Sequence, residues 1–182
     1  MQDDRRLKSR FLAGGLAGLI ATGAWAAPPE ETLKRGAYLV TVGGCTDCHT
    51  PGHFLGAPDM KRFLGGSDVG FSVPGRGVFA GPNLTPDKDT GLGNWTTQQI
   101  VTAFTTGKRP DGRMLVPVMP YPALAQLNPD DAQAIAAYLQ SLPPVRNKVA
   151  GPFGPTDKVT TFVMNVLPAD AYNAMPKPPP GK

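Results

Sequence analysis

Five consecutive residues, Cys45-Thr46-Asp47-Cys48-His49, constrain this chain more than any other feature. They hold both of its cysteines, so no disulfide framework can carry the fold. C-x-x-C-H at this spacing supports three chemistries. Two thiols can add across the two vinyl groups of one haem, and the next residue's imidazole then lies under the macrocycle and reaches the iron. A zinc ion could take Cys45, Cys48, His49 and His53, although adjacent ligands such as Cys48 and His49 depart from the looped spacing of structural zinc sites. A thiol-redox C-x-x-C would want a βαβ surround, which the sequence does not offer. Haem attachment uses both thiols and accounts for there being no others.

Composition raises a difficulty that a large apolar cofactor resolves. The 182 residues include 22 Gly and 21 Pro, about a quarter of the chain against an average of roughly 12%. So much Gly and Pro excludes a coiled coil. Yet 41% hydrophobic and 18% charged residues do not describe a disordered chain. The sequence therefore predicts one loop-rich globular domain with a modest core. Only one apolar run is long enough to consider as a membrane span, which excludes a multi-span protein.

That run is N-terminal. Arg5, Arg6, Lys8 and Arg10 precede an apolar stretch from Phe11 to Ala27, and Ala24-Trp25-Ala26 offers a small-x-small cleavage site. This is the layout of a secretory signal peptide over residues 1–26, cleaved after Ala26. The stretch carries four glycines and falls short of the ~20 residues of a spanning helix. A membrane association is expected only if the segment stays uncleaved. Cleavage lowers the formal charge from +4 to +2. The mature part has no basic run, so no nucleic-acid partner is expected.

Local signals set out the rest. Glu30 to about Val42 has helical pattern, with Leu33, Gly36, Ala37 and Val40 on one face and Gly43-Gly44 as the stop. Thr50 to Asp89 reads as ordered loop with one short extended pair around Phe71–Phe79. Thr96 and Gln99 form a capping box before Ile100, Val101, Ala103 and Phe104, and Gly107 ends that helix. Asn128-Pro129-Asp130-Asp131 starts another helix, with Ile135, Tyr138, Leu139 and Leu142 as its stripe and Pro143-Pro144 as its end. The cofactor domain is expected over 27–148. Residues 149–182 are expected to form a Pro-rich extension with an apolar run at Val159–Leu167.

Over roughly Glu30 to Val145 the chain resembles the class I cytochromes c. Gly36 and Val40 resemble the packing face of the family's first helix, and Ile135 and Tyr138 its partner positions on the last helix. Gly81-Pro82-Asn83-Leu84 resembles the family's Gly-Pro-Asn-Leu turn, and Met119 in Val118-Met119-Pro120-Tyr121 resembles its distal ligand. The resemblance implies an all-α fold of three to five short helices, with long Gly/Pro-rich loops wrapped around one covalent haem c. It also implies that Cys45 and Cys48 attach the haem and that His49 and Met119 ligate the iron. Pro82 would accept the Nδ1 hydrogen of His49 and raise its basicity. The interval from His49 to Pro82, 33 positions, is longer than in small mitochondrial-type members. Asn83-Leu84-Thr85-Pro86-Asp87 through Trp95-Thr96, Pro117-Val118-Met119-Pro120-Tyr121 and Ala137-Tyr138-Leu139 look more like the cytochrome modules of periplasmic dehydrogenases, of which the chain carries one.

The residues themselves leave both Met114 and Met119 in the loop that must cover the distal side. Met119 is held stiffly between Pro117 and Pro120. Met60 lies too near His49 in sequence, and Met164 and Met175 fall beyond the last helix of the domain. His53 is too close to His49 to reach the opposite face. Phe54, Phe63, Phe71, Phe79, Trp95, Phe104 and Tyr121 are candidate pocket walls, and Arg76, Lys108, Arg109 and Arg113 candidate propionate partners.

The expected function is a periplasmic, non-enzymatic carrier of single electrons. It would accept from a dehydrogenase and donate to a downstream oxidase or cytochrome, the tail after Val149 docking on the partner. The alternative is a haem enzyme or gas sensor with a displaceable sixth ligand.

Overall fold

The computed structural model describes residues 27–176. The proposed signal peptide over 1–26 and the final Pro-rich residues 177–182 lie outside them. In chain order the elements are α1 (Glu30–Val42), α2 (Cys45–His49), single 3-10 turns at His53–Leu55 and Met60–Arg62, β1 (Val69–Val73) and β2 (Gly77–Ala80). They continue with α3 (Thr97–Thr106), α4 (Tyr121–Leu124), α5 (Pro129–Ser141), β3 (Phe162–Met164) and α6 (Ala169–Ala174).

The core forms where α1 and α5 cross. A side chain on Gly36 would run into the Ala134 carbonyl and lie 2.7 Å from the Tyr138 Cβ, so only glycine lets the two backbones meet. Val40 is 0% exposed beneath the crossing and shares one apolar cluster with Leu64, Leu92, Ile100, Phe104, Ile135, Ala136 and Leu139. Burying each large aliphatic member contributes about 1.5–3 kcal/mol. The local signals for both flanking helices are used as read. The Thr96 hydroxyl accepts from Gln99 N at 3.2 Å while Gln99 Oε1 accepts from Thr96 N at 2.9 Å. Asn128 Oδ1 accepts from Asp131 N at 2.8 Å, with Pro129 in the first turn.

Arg35 joins the crossing from outside, its Nε and second guanidinium nitrogen reaching the two Asp131 oxygens at 2.7 and 2.9 Å. Hydrogen bonding from Arg35 holds the Asp131 carboxyl below the usual carboxylate range. A depressed pKa adds stability that is present above the unfolded value and is lost as pH falls through the folded one. Asp131→Asn is expected to lower the melting temperature by a few degrees near neutrality. The difference from the parent should vanish as pH falls below the ordinary carboxylate range, which thermal melts across pH would check.

The expectation of an all-α fold is corrected. β1 pairs antiparallel with β2, placing Phe71 opposite Phe79, and β3 adds parallel to the far side of β1 in the order β2-β1-β3. Val69, Phe71 and Val73 alternate toward one face, and Pro74-Gly75 turns the chain, so the hairpin is locally encoded. The third strand is not, because its partner lies some ninety positions earlier. The described residues contain six α-helices, one more than the expected range, the sixth lying in the tail. The chain after Lys148 runs back over the hairpin: Val78 and Phe153 exchange both backbone hydrogen bonds at 2.9 Å.

Candidate haem site

α1 ends at Gly43, and Gly44, at φ 65°, turns the chain directly into α2. This single short helix sets the geometry of the site. Cys45 and Cys48, three apart, fall on one face. Both are free thiols and half-buried. Burial pushes the pKa of each up, holding them as neutral thiols.

His49 closes the helix and is 5% exposed. Its Nδ1 lies 2.8 Å from the Pro82 carbonyl. A carbonyl only accepts, so Nδ1 carries the hydrogen and Nε2 keeps its lone pair for a ligand. Burial pushes the imidazole pKa down and outweighs the opposing effect of the Pro82 carbonyl, so the ring is neutral, as metal ligation requires. The 81–84 turn is pressed against α2. A Cβ on Gly81 would overlap the Cys48 carbonyl and approach His49 Nδ1 to 3.1 Å. Ser67 N donates to Gly81 O at 2.8 Å, Leu84 N to Leu64 O at 2.9 Å, and Gly66 N to His49 O at 2.8 Å.

Met119 sits in the turn before α4. Its carbonyl accepts from Tyr121 N at 2.8 Å, and its half-buried side chain packs against the same apolar cluster as Cys45, Phe63, Leu84 and Trp95. Met114 is bridged to Lys108 and is exposed, as is Met60. The candidate walls divide. Phe63, Trp95 and Phe104 belong to or border the cluster that Cys45 and Met119 touch. Phe54 packs edge-on against Phe71, with Phe79 beside it on the hairpin. The Tyr121 ring lies against Gly107. Of the four basic candidates, Arg109 pairs with Asp111 at 3.1 Å and stacks 5.0 Å over the Trp95 ring. Burial and then Arg109 push the Arg113 pKa down, while Arg76 and Lys108 are exposed.

Sequence reasoning missed Leu64, Thr50 and the side chain of Asn83. Leu64 is fully buried at φ 56°, a conformation costing about 1–3 kcal/mol in a non-glycine residue. It is pinned there by the Thr50 hydroxyl, which accepts from Leu64 N at 3.1 Å. No local pattern marks either residue.

The Cytochrome c family model matches residues 33–143. The chain belongs to the cytochrome c family. It is 32% identical over 73% of its length to the cytochrome c subunit of a quinone alcohol dehydrogenase from Gluconacetobacter polyoxogenes. It is 34% identical over 68% of its length to the fructose dehydrogenase cytochrome subunit of Gluconobacter japonicus. It is 32% identical over 60% of its length to the gluconate 2-dehydrogenase cytochrome c subunit of Pantoea cypripedii. The chain spans 27%, 25% and 23% of those relatives respectively.

A cytochrome c carries covalent haem c with its iron, and the residues present fit that group. Two unbridged thiols lie on one helical turn, followed by a buried imidazole whose other nitrogen is already hydrogen-bonded. The family match favours haem over the zinc and thiol-redox readings. Among the described residues no three His, Cys, Asp or Glu side chains are grouped to hold a metal ion. His53 instead pairs with Asp47 at 3.4 Å.

Proposed function

We propose that this cytochrome is the electron-transfer partner of a dehydrogenase. It acts in the periplasm after loss of residues 1–26, accepting single electrons from the catalytic subunit and passing them to a downstream oxidase or cytochrome. The observation that carries the reading is the 2.8 Å contact of His49 Nδ1 with Pro82 O, directly behind the Cys45–Cys48 turn. When bound, haem c supplies reversible one-electron iron chemistry. Cys45 and Cys48 would hold the group by thioether bonds, and His49 would offer Nε2 to the iron. Pro82 keeps the imidazole oriented and electron-rich. Met119, stiffened by its flanking prolines, would offer a thioether as the second protein ligand. The surrounding apolar side chains exclude water, which raises the cost of a charge change and so tunes the potential. The relatives described above are dehydrogenase subunits, which supports a partner of that class.

The ligand set has a spectroscopic test. Met119→Ala is expected to abolish the weak thioether-to-iron charge-transfer band and to let the ferrous protein bind carbon monoxide, which the parent should not do. A band that survives would move the assignment to Met114. Carbon monoxide binding by the parent would replace the carrier by an enzyme or sensor with a displaceable ligand.

The tail is the proposed docking element. Large apolar side chains crowd its end, with Phe162 60% and Val166 92% exposed beside Val163, Met164, Leu167 and Met175. Such crowding of exposed apolar groups marks interaction surfaces. Truncation after Met164 preserves the β3 pairing and should leave the haem spectrum unchanged. It should slow electron uptake from the dehydrogenase at least about tenfold. Unaltered stopped-flow rates would remove the residues after Met164 from the docking surface.

A further inference from the structure

Asn83 follows Pro82, is 1% exposed and has both side-chain polar atoms engaged. Its Nδ2 donates to the Thr90 hydroxyl at 3.0 Å and to Val145 O at 2.7 Å. Its Oδ1 accepts from the Thr85 backbone at 2.9 Å and from the Thr85 hydroxyl at 2.8 Å. The Thr85 hydroxyl accepts in turn from Val145 N at 3.0 Å. Thr90 completes a second tie, its hydroxyl accepting from Asn147 N at 3.0 Å while it donates to Asp87 at 2.7 Å. The Asn147 side chain then donates to Gly65 O at 2.8 Å, and the next residue, Gly66, donates to His49 O at 2.8 Å.

These bonds close a ring around the histidine. His49 donates to Pro82, Asn83 grips Val145, Asn147 grips Gly65, and Gly66 returns to His49. The members at 145 and 147 come after the last core helix, beyond the residues matched by the family model. Buried amide networks of this kind are rigid when every member is satisfied, and loosen as a unit when one is lost.

We propose that the Val145–Asn147 segment is a positioning strap, and that Asn83 and Asn147 are positioning residues which hold the Pro82 carbonyl against the Nδ1 hydrogen of His49. This rests on the reading of His49 as iron ligand through Nε2. The strap acts by fixing how well the Pro82 carbonyl accepts, and hence how strongly the imidazole donates. A stronger donor favours the ferric state, so loosening the strap raises the reduction potential.

The test uses the full haem-loaded chain. Two quantities are read: hydrogen exchange at His49 Nδ1 in the ferrous protein by NMR, and the midpoint potential. In Asn147→Ala and Asn83→Ala, exchange is expected to quicken on the order of tenfold, as for an opening eased by about one hydrogen bond. The potential should rise in both, and the double variant should show less than the sum, since the two act on one ring. Thr90→Val serves as a further variant should Asn83→Ala retain too little haem, with the same direction expected. Lowered melting temperatures with exchange and potential at parental values would overturn the strap. A parental spectrum without an iron-bound His49 would overturn the ligand reading and the strap together.

Discussion

Gly36→Ala is expected to cost the domain at least about 3 kcal/mol, a large share of the roughly 5–15 kcal/mol that holds a domain folded. The sign is not obvious from helix physics. Alanine is the better helix former by about 1 kcal/mol in an exposed position. Here the added methyl would occupy space already filled by the Ala134 carbonyl and the Tyr138 Cβ. The obstruction at Ala134 is backbone, with no rotamer to step aside. Relief requires α1 and α5 to separate, which opens the cluster around Val40, Ile135 and Leu139. Denaturant unfolding of the haem-loaded protein measures the loss. A variant within about 1 kcal/mol of the parent would mean that the helices cross less tightly than the geometry requires.

Gly81→Ala is the second large effect, and it separates the site from the fold. Its Cβ would collide with the Cys48 carbonyl beside His49 Nδ1. The turn cannot retreat freely, because Ser67 N donates to Gly81 O and Leu64 O accepts from Leu84 N, holding it from behind. The expected result is loss of the Pro82 hydrogen bond and a fall of about tenfold or more in covalently retained haem per mole of protein, read after denaturation. Gly75→Ala is the control. Nothing lies within 4 Å of a Cβ there, and its φ of 72° costs only the local backbone preference, about 1 kcal/mol. Gly75→Ala should retain haem fully. Equal losses in both variants would point to general destabilisation and away from a specific collision at the ligand.

Legibility in the sequence followed the range of the forces involved. The helix ends were readable because a cap is a local hydrogen bond: Thr96 to Gln99 and Asn128 to Asp131 each span three residues. The hairpin was readable from its alternation and its Pro-Gly turn. The expected extended pair around Phe71–Phe79 is the β1–β2 hairpin, while the all-α class, taken from resemblance to a helical family, leaves the sheet out. Pro82 was found through the family's turn rather than through any pattern of its own, since a carbonyl leaves no mark in the side-chain sequence.

The attachment motif, the glycine at the helix crossing, the caps and the prolines beside Met119 were determined by the chain itself. Each depends on covalent spacing or on the stereochemistry of one or two residues. What only the tertiary structure decided was the left-handed Leu64, the parallel pairing of β3 with β1 and the ring through Asn83, Val145, Asn147 and Gly66. Asn83 and Val145 are 62 positions apart, and no local preference of either residue encodes the other. Their meeting is fixed by packing, because amides taken out of water must find partners wherever the core has brought the backbone.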